Sequence, residues 1–292
     1  MPHFSSLSRP LIGAVLLAAM LVPTAAQETK TTDPTPADPG VLRICASEVE
    51  APYSVKDGSG FENKVAVVLA KTMDKKPVFV WTSQPAIYLV RDLLDKQQCD
   101  VVMGLDAGDD RVLTSTPYYR SGYVFVTRAD SKLKIESWKS ADLYKADHIG
   151  IVPGTPAQTM MEQLGLFNTH FNYMHSLTDF LDRRNRYTRI DPRRMVREVK
   201  EGKADVAVSF APDVARYVKA DKELMLTLIP DDNTTPDGKK VPHVFDQSIA
   251  VRKGDAQLLA QIEAGLAKAK PEIEAILREE GFPLIAAQPN RS

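Results

Sequence analysis

The sequence predicts an α/β protein of two lobes that face each other across a cleft. Three observations predict it. Residues 41–104 alternate short apolar runs with helical spacing in the order β-α-β-α-β, the rhythm starts afresh at residue 148, and two β-rich runs, 122–128 and 245–252, join the units. Alternation of this kind builds a mainly parallel sheet with helices on its faces. Two such units joined by two extended segments suggest a hinge, and the cleft between them is the expected site of a ligand or partner.

Each element has its own signal. Val41–Ala46 follows a Pro/Gly breaker and reads as a strand; Ser47–Gly60 is polar and reads as a loop. Phe61-Glu62-Asn63 opens a helix whose Val65, Ala66, Leu69, Ala70 and Met73 share one face. Pro77–Trp81 is a second strand, Pro85–Lys96 a helix burying Ile87, Val90, Leu93 and Leu94, and Asp100–Gly104 a third strand. In the second unit His148–Val152 is a strand, Thr155 is suited to cap the next helix, and Pro156 to its first position. Asn168–Pro192 is long, aromatic and basic without a clean period, and reads as an insertion. Arg193–Lys200 is a helix stopped by Gly202, Asp205–Phe210 a strand, and Val214–Val218 the centre of another helix. Two helices, Asp255–Lys270 and Glu272–Glu280, close the chain.

The N-terminus points to export. Arg9, the apolar run Leu11–Val22, Pro23 and the small residues Thr24-Ala25-Ala26 have the layout of a secretory signal over residues 1–26, cut between Ala26 and Gln27. The run is too short for a membrane span, which takes roughly 20 residues. Residues 27–40 are polar and Pro-rich and read as a disordered leader. With 37 basic and 38 acidic residues, nothing in the balance suggests nucleic acid. One segment is strongly basic: Arg183, Arg184, Arg186, Arg189, Arg193 and Arg194, followed by Arg197 and Lys200. It reads either as a solvated surface or as a docking patch for an acidic partner protein. Two cysteines, Cys45 and Cys99, in an exported chain suit one disulfide. Two buried thiols remain the alternative, since Cys45 sits late in its strand and Cys99 precedes its own.

The order of elements, with "GSGFE" opening the first helix, "CDVVMG" and "DDR…STPYY" around the third strand, and "GIVPGTPA" and "GKADVAVS" in the second unit, resembles the family-3 solute-binding proteins. That resemblance implies a periplasmic-binding-protein-like fold of type II: two Rossmann-like lobes joined by a two-strand hinge. The expected division is 41–127 plus 247–287 for the first lobe and 128–246 for the second, with the C-terminal helices packed back on the first. Within the family, "RICASEVEAPYS", "CDVVMGLDAGDDRVLTSTPYYRSGYVFVTR" and "DPRRMVREVKEGKADVAVSFAP" resemble the periplasmic accessory proteins of methanol oxidation. This implies support of maturation or assembly of the PQQ-dependent methanol dehydrogenase, a subunit of that enzyme as partner, a monomer, and neither catalysis nor a resident cofactor.

An amino-acid receptor must desolvate a zwitterion, which calls for an anchor at each charge. Arg111 stands where the family's carboxylate-binding arginine stands, but Asp106 and Gly108 occupy positions where small hydroxyl residues are common, and Asp106 would repel an anion. After the strand "DVAVSF" comes Phe210-Ala211-Pro212, and Asp213 falls about three positions late for an ammonium anchor. Ordinary α-amino acids are therefore poor candidates. An adapted small ligand or a protein-docking cleft replaces them, and Arg111 has a second reading, as a brace for its own loop. Thr155 at a helix start could present N–H groups to an anion or merely cap. Tyr53, Phe61, Tyr118 and Tyr119 could clamp a planar ligand such as a quinone, or fill the core. His148, His170, His175 and His243 lack metal-ligand spacing, and neither a nucleophile elbow nor a phosphate loop occurs. Glu50, Glu62, Asp106 and Asp109 are the residues that an enzymatic cleft would use.

Overall fold

The computed structural model describes residues 38–178 and 190–285. The signal, residues 27–37 of the leader, and Arg183, Arg184, Arg186 and Arg189 lie outside these. Strand β1 (Val41–Ser47) is buried on both sides: Leu42 and Ile44 face one core while Cys45 faces another. That is why it reads as a continuous apolar run. A hairpin of β2 (Val49–Glu50) and β3 (Ser54–Val55) follows within the segment expected as loop. Its turn is pinned by Asn63, whose Oδ1 accepts from the Val55 N–H at 2.9 Å. Helix α1 (Phe61–Thr72) buries the predicted face, and β4 (Lys76–Thr82) pairs parallel with β1 in unbroken register.

The helix expected over 85–96 is instead a 3-10 turn (Ala86–Tyr88) and a wide π-helical turn (Val90–Leu94). Its bonds reach five residues back, from Asp95 N–H to Val90 and from Gln98 N–H to Leu93. Leu89, Val90, Leu93 and Leu94 are all buried against Cys45 and Cys99, whereas Ile87 is half exposed. The cysteines form a disulfide with Cα atoms 5.4 Å apart, which decides between the two readings. It ties β1 to the entry of β5 (Val101–Asp106).

Short β6 (Leu113–Thr114) leads into β7 (Tyr119–Arg128), which belongs to both halves of the molecule. Its first residues, Tyr119–Gly122, pair with β11 (Val244–Val251), and the rest lies between β9 (Val206–Phe210) and β10 (Leu224–Leu228). Parallel β8 (Ile149–Ile151) completes a nine-stranded mixed sheet, whose main path runs β4-β1-β5-β11-β7-β9-β8. The chain thus passes between lobes on β7 and β11, the two-strand hinge.

In the second lobe α2 (Pro156–Gln163) starts at Thr155, but the Thr155 hydroxyl donates to Val152 O at 2.7 Å and does not cap the helix. Part of the expected insertion is regular. Helix α3 (Phe167–Leu177) turns His170, Met174 and Leu177 inward and leaves Phe171 outside, so a buried histidine and an exposed phenylalanine disguised its period. Helix α4 (Pro192–Lys200) is capped by Asp191, and α5 (Ala211–Lys219) begins directly after β9.

Instead of two terminal helices there is one, α6 (Ala256–Glu279), running through Pro271. Proline removes one backbone donor, yet Ile262, Leu266, Ala269, Ile273 and Leu277 form one buried face against the first core on both sides of it. The end of α6 clasps the second lobe. Glu280, whose side chain is 4 % exposed, accepts from Arg216 Nη2 of α5 at 2.9 Å and from Lys64 Nζ of α1 at 3.2 Å. Lys219 of α5 donates to the terminal carbonyls of Arg278 and Glu279, both at 2.9 Å.

Candidate ligand-binding cleft

A cavity of about 350 Å³ opens between the lobes. The first lobe contributes Glu50 from β2, Tyr53 from the hairpin, Glu62 from the first turn of α1, and Met103, Gly104 and Asp106 from β5. Tyr123 of β7, Phe245 and Gln247 of β11, Phe210 at the end of β9 and Asp213 in the first turn of α5 close the other side. Four of the predicted site residues (Tyr53, Glu62, Asp106 and Phe210) therefore share one wall or another of a single cavity.

Their polar groups are tied across it. The Tyr53 hydroxyl donates to Asp213 Oδ1 at 2.7 Å, joining the lobes, while Ser209 donates to Asp213 Oδ2 at 3.2 Å. Gln247 Nε2 donates to Asp106 Oδ1 at 2.6 Å. Glu62 lies flat against β5, and a methyl group built on Gly104 would overlap its carboxylate. Gly104 also has a φ of +70°, so both backbone and space demand glycine there. Burial, with the charge of Glu50 added, pushes the Glu62 carboxyl up to about 8, and the neighbouring Tyr118 hydroxyl offsets part of the rise. Burial and Asp213 hold the Tyr53 hydroxyl well above its ordinary value.

Other predicted residues stand elsewhere. Arg111 does not line the cavity. Its Nη2 lies 2.6 Å from Asp109 Oδ2 and its side chain is 56 % exposed, the geometry of a loop brace. Asp109 is thereby kept from the other three carboxylates of the acid–base reading. Phe61 is fully buried in the first core and stacks edge-on with Tyr119 and Phe282; Tyr118 packs on the same core. Neither lines the cavity, so as clamps for a planar ligand they are replaced by Tyr123 and Phe245. Thr155 sits behind Tyr123 rather than on the wall. Asp213 does reach the cavity although three positions late, because α5 starts at once after β9 and turns its first carboxylate inward. Glu50, named from sequence only for an enzymatic cleft, reaches the wall from β2, whereas Tyr123, Phe245 and Gln247 carried no local motif that marked them; only the crossing of β7 and β11 brings these three together.

Two arginines of the basic run are engaged locally. Arg193 pairs with Asp191 at 2.9 Å, and Arg194 donates to the Ser176 and Leu177 carbonyls. His243 is wholly buried. Its Nε2 accepts from Trp138 Nε1 at 2.8 Å, leaving Nδ1 to donate to Val241 O at 2.9 Å. Among the described residues, no group of three or more His, Cys, Asp or Glu is placed to hold a metal ion. No helix there is long and apolar enough to cross a membrane.

The sequence pattern of the bacterial extracellular solute-binding proteins, family 3, matches residues 42–279. The protein MoxJ of Methylorubrum extorquens strain AM1 is 52 % identical over 92 % of this chain and 91 % of its own length. The crystal structure of MxaJ from Methlophaga aminisulfidivorans superposes with a TM-score of 0.80 at 47 % identity, covering 84 % of this chain and all of that one. The periplasmic binding protein XoxJ from Methylobacterium extorquens AM1 gives a TM-score of 0.63 at 26 % identity over 85 % of this chain and all of that one.

Proposed function

Because the chain belongs to the bacterial extracellular solute-binding proteins of family 3, we propose that it is a periplasmic accessory factor of methanol oxidation. In this reading it is exported by the signal over residues 1–26 and binds a subunit of the PQQ-dependent methanol dehydrogenase. It supports that enzyme's maturation or assembly without catalysing a reaction itself. The observation that carries the reading is the likeness to MoxJ at 52 % identity over 92 % of the chain. The cleft supports it. With Arg111 held by Asp109 outside the cavity, the described residues of the wall include no cation to take an amino-acid carboxylate, so among them the ordinary cargo of an amino-acid receptor has no anchor.

The test is a pull-down from periplasmic extract with the mature chain as bait and mass spectrometry of what it retains. Recovery of a quinoprotein dehydrogenase subunit is expected. Its absence, together with a ligand-induced thermal shift, would favour a transporter's binding protein for a small or planar solute other than an amino acid. The cavity of about 350 Å³ keeps that second reading in play.

A further inference from the structure

We propose that the cleft takes an organic cation: an ammonium or guanidinium group on an apolar body, with no carboxylate of its own. The inference rests on the reading of this cleft as the protein's binding site and names the chemistry it accepts.

The charges on the wall are all of one sign. Glu50, Asp106 and Asp213 line the cavity together with Glu62, whose carboxyl keeps its proton near neutral pH, and among the described residues no lysine, arginine or histidine lines it. Nearby cations are engaged elsewhere: Arg111 on Asp109, and Arg216 on Glu280 and the Ser59 carbonyl at 3.0 Å. The carboxylates come from both lobes, so a cation between Asp106 of the first and Asp213 of the second meets opposite charge on either side. An anion meets it on neither.

The apolar part of the wall suits the same guest. Tyr123, Phe210 and Phe245 form a ring trio, with centroids 5.6, 6.1 and 6.1 Å apart and interplanar angles of 43, 66 and 87°. Rings tilted to one another in this way offer both faces and edges, and a face attracts a cation through its quadrupole. The volume, about 350 Å³, is at the small end for small-molecule sites.

The test uses the mature chain and matched probes in titration calorimetry. Phenethylamine and agmatine carry the cation alone, L-phenylalanine and L-arginine add a carboxylate, and 3-phenylpropionate carries only the carboxylate. A peptide with blocked ends and one central arginine or lysine presents the same cation on a polypeptide. At least one amine or guanidine is expected to bind saturably and ten times or more tighter than its amino-acid counterpart, with 3-phenylpropionate silent. Asp213→Asn is expected to weaken that binding at least tenfold. Asp106→Asn, which leaves the Tyr53–Asp213 contact alone, should weaken it by a smaller factor. Binding by the free amine points to a small solute; binding by the peptide alone points to a basic side chain of a partner. Tighter binding of the carboxylate probes, or no saturable binding by any cation, overturns the proposal. The same preparation is carried through the dehydrogenase pull-down. A retained subunit without cation binding then removes this inference only, and cation binding without a retained subunit removes the accessory role only.

Discussion

Replacing Glu62 by glutamine tests how the cleft is built. The carboxyl has a folded value of about 8 against an ordinary 4.5, so near neutral pH the folded protein keeps a proton that the unfolded chain releases. Stability therefore falls as pH rises from the ordinary carboxylate value through about 8. At ~1.4 kcal/mol per unit the whole displacement would amount to about 4–5 kcal/mol. Glu62 borders a cavity open to solvent, which reduces the figure to on the order of 2–3 kcal/mol between pH 5 and pH 8. Glutamine has the shape of the protonated acid and does not titrate. Thermal or urea unfolding of both proteins at pH 5, 6, 7 and 8 should give similar stabilities at pH 5. The variant should pull ahead with rising pH, by roughly 5 °C or more in Tm at pH 8. Two curves that stay parallel across this range would show that burial does not hold a proton on Glu62.

Three further outcomes follow from the structure. Cys45→Ser with Cys99→Ser opens a loop of sequence separation 54 and should cost about 4 kcal/mol by chain entropy, read as a lower urea midpoint. Gly104→Ala combines a φ of +70° with overlap on Glu62; a loss of roughly 2–4 kcal/mol is expected, and Glu62→Ala in the same chain should recover part of it. Arg216→Ala leaves the 4 %-exposed Glu280 with Lys64 alone, at a cost of about 2–4 kcal/mol. A larger radius of gyration in small-angle scattering should accompany that loss, and Glu280→Gln should show a smaller effect on both.

Much of this fold could be read from the chain because its strands are short, apolar and bounded by breakers, and because α1 shows its face without ambiguity. Where the reading failed, tertiary contacts had overridden local signals. A proline ended a helix on paper, but the buried face of α6 continues from Ile262 to Leu277 across it. The segment over 85–96 has helical spacing, yet packing against the disulfide widens its turns. Strand β10 went unseen: "LMLTL" alternates weakly and gains its identity only from pairing with β7. The cleft was legible where a residue ends a strand, as Asp106 and Phe210 do. Tyr123, Phe245 and Gln247 are ordinary strand residues by sequence, and become a wall only where β7 and β11 cross between lobes. For Arg111 the sequence left two readings, anchor and loop brace, and the aspartate two residues away holds it as the brace.

The clasp between α5 and the end of α6 bears on what this molecule can signal. A binding protein that serves a membrane receptor reports its cargo by changing outline, since the open and closed forms differ in their affinity for ligand. Here the Arg216–Glu280 and Lys219 contacts, and the Tyr53–Asp213 bond within the cleft, hold the lobes together. Separating the lobes means giving up these bonds, so the clasp weights the molecule toward a single outline.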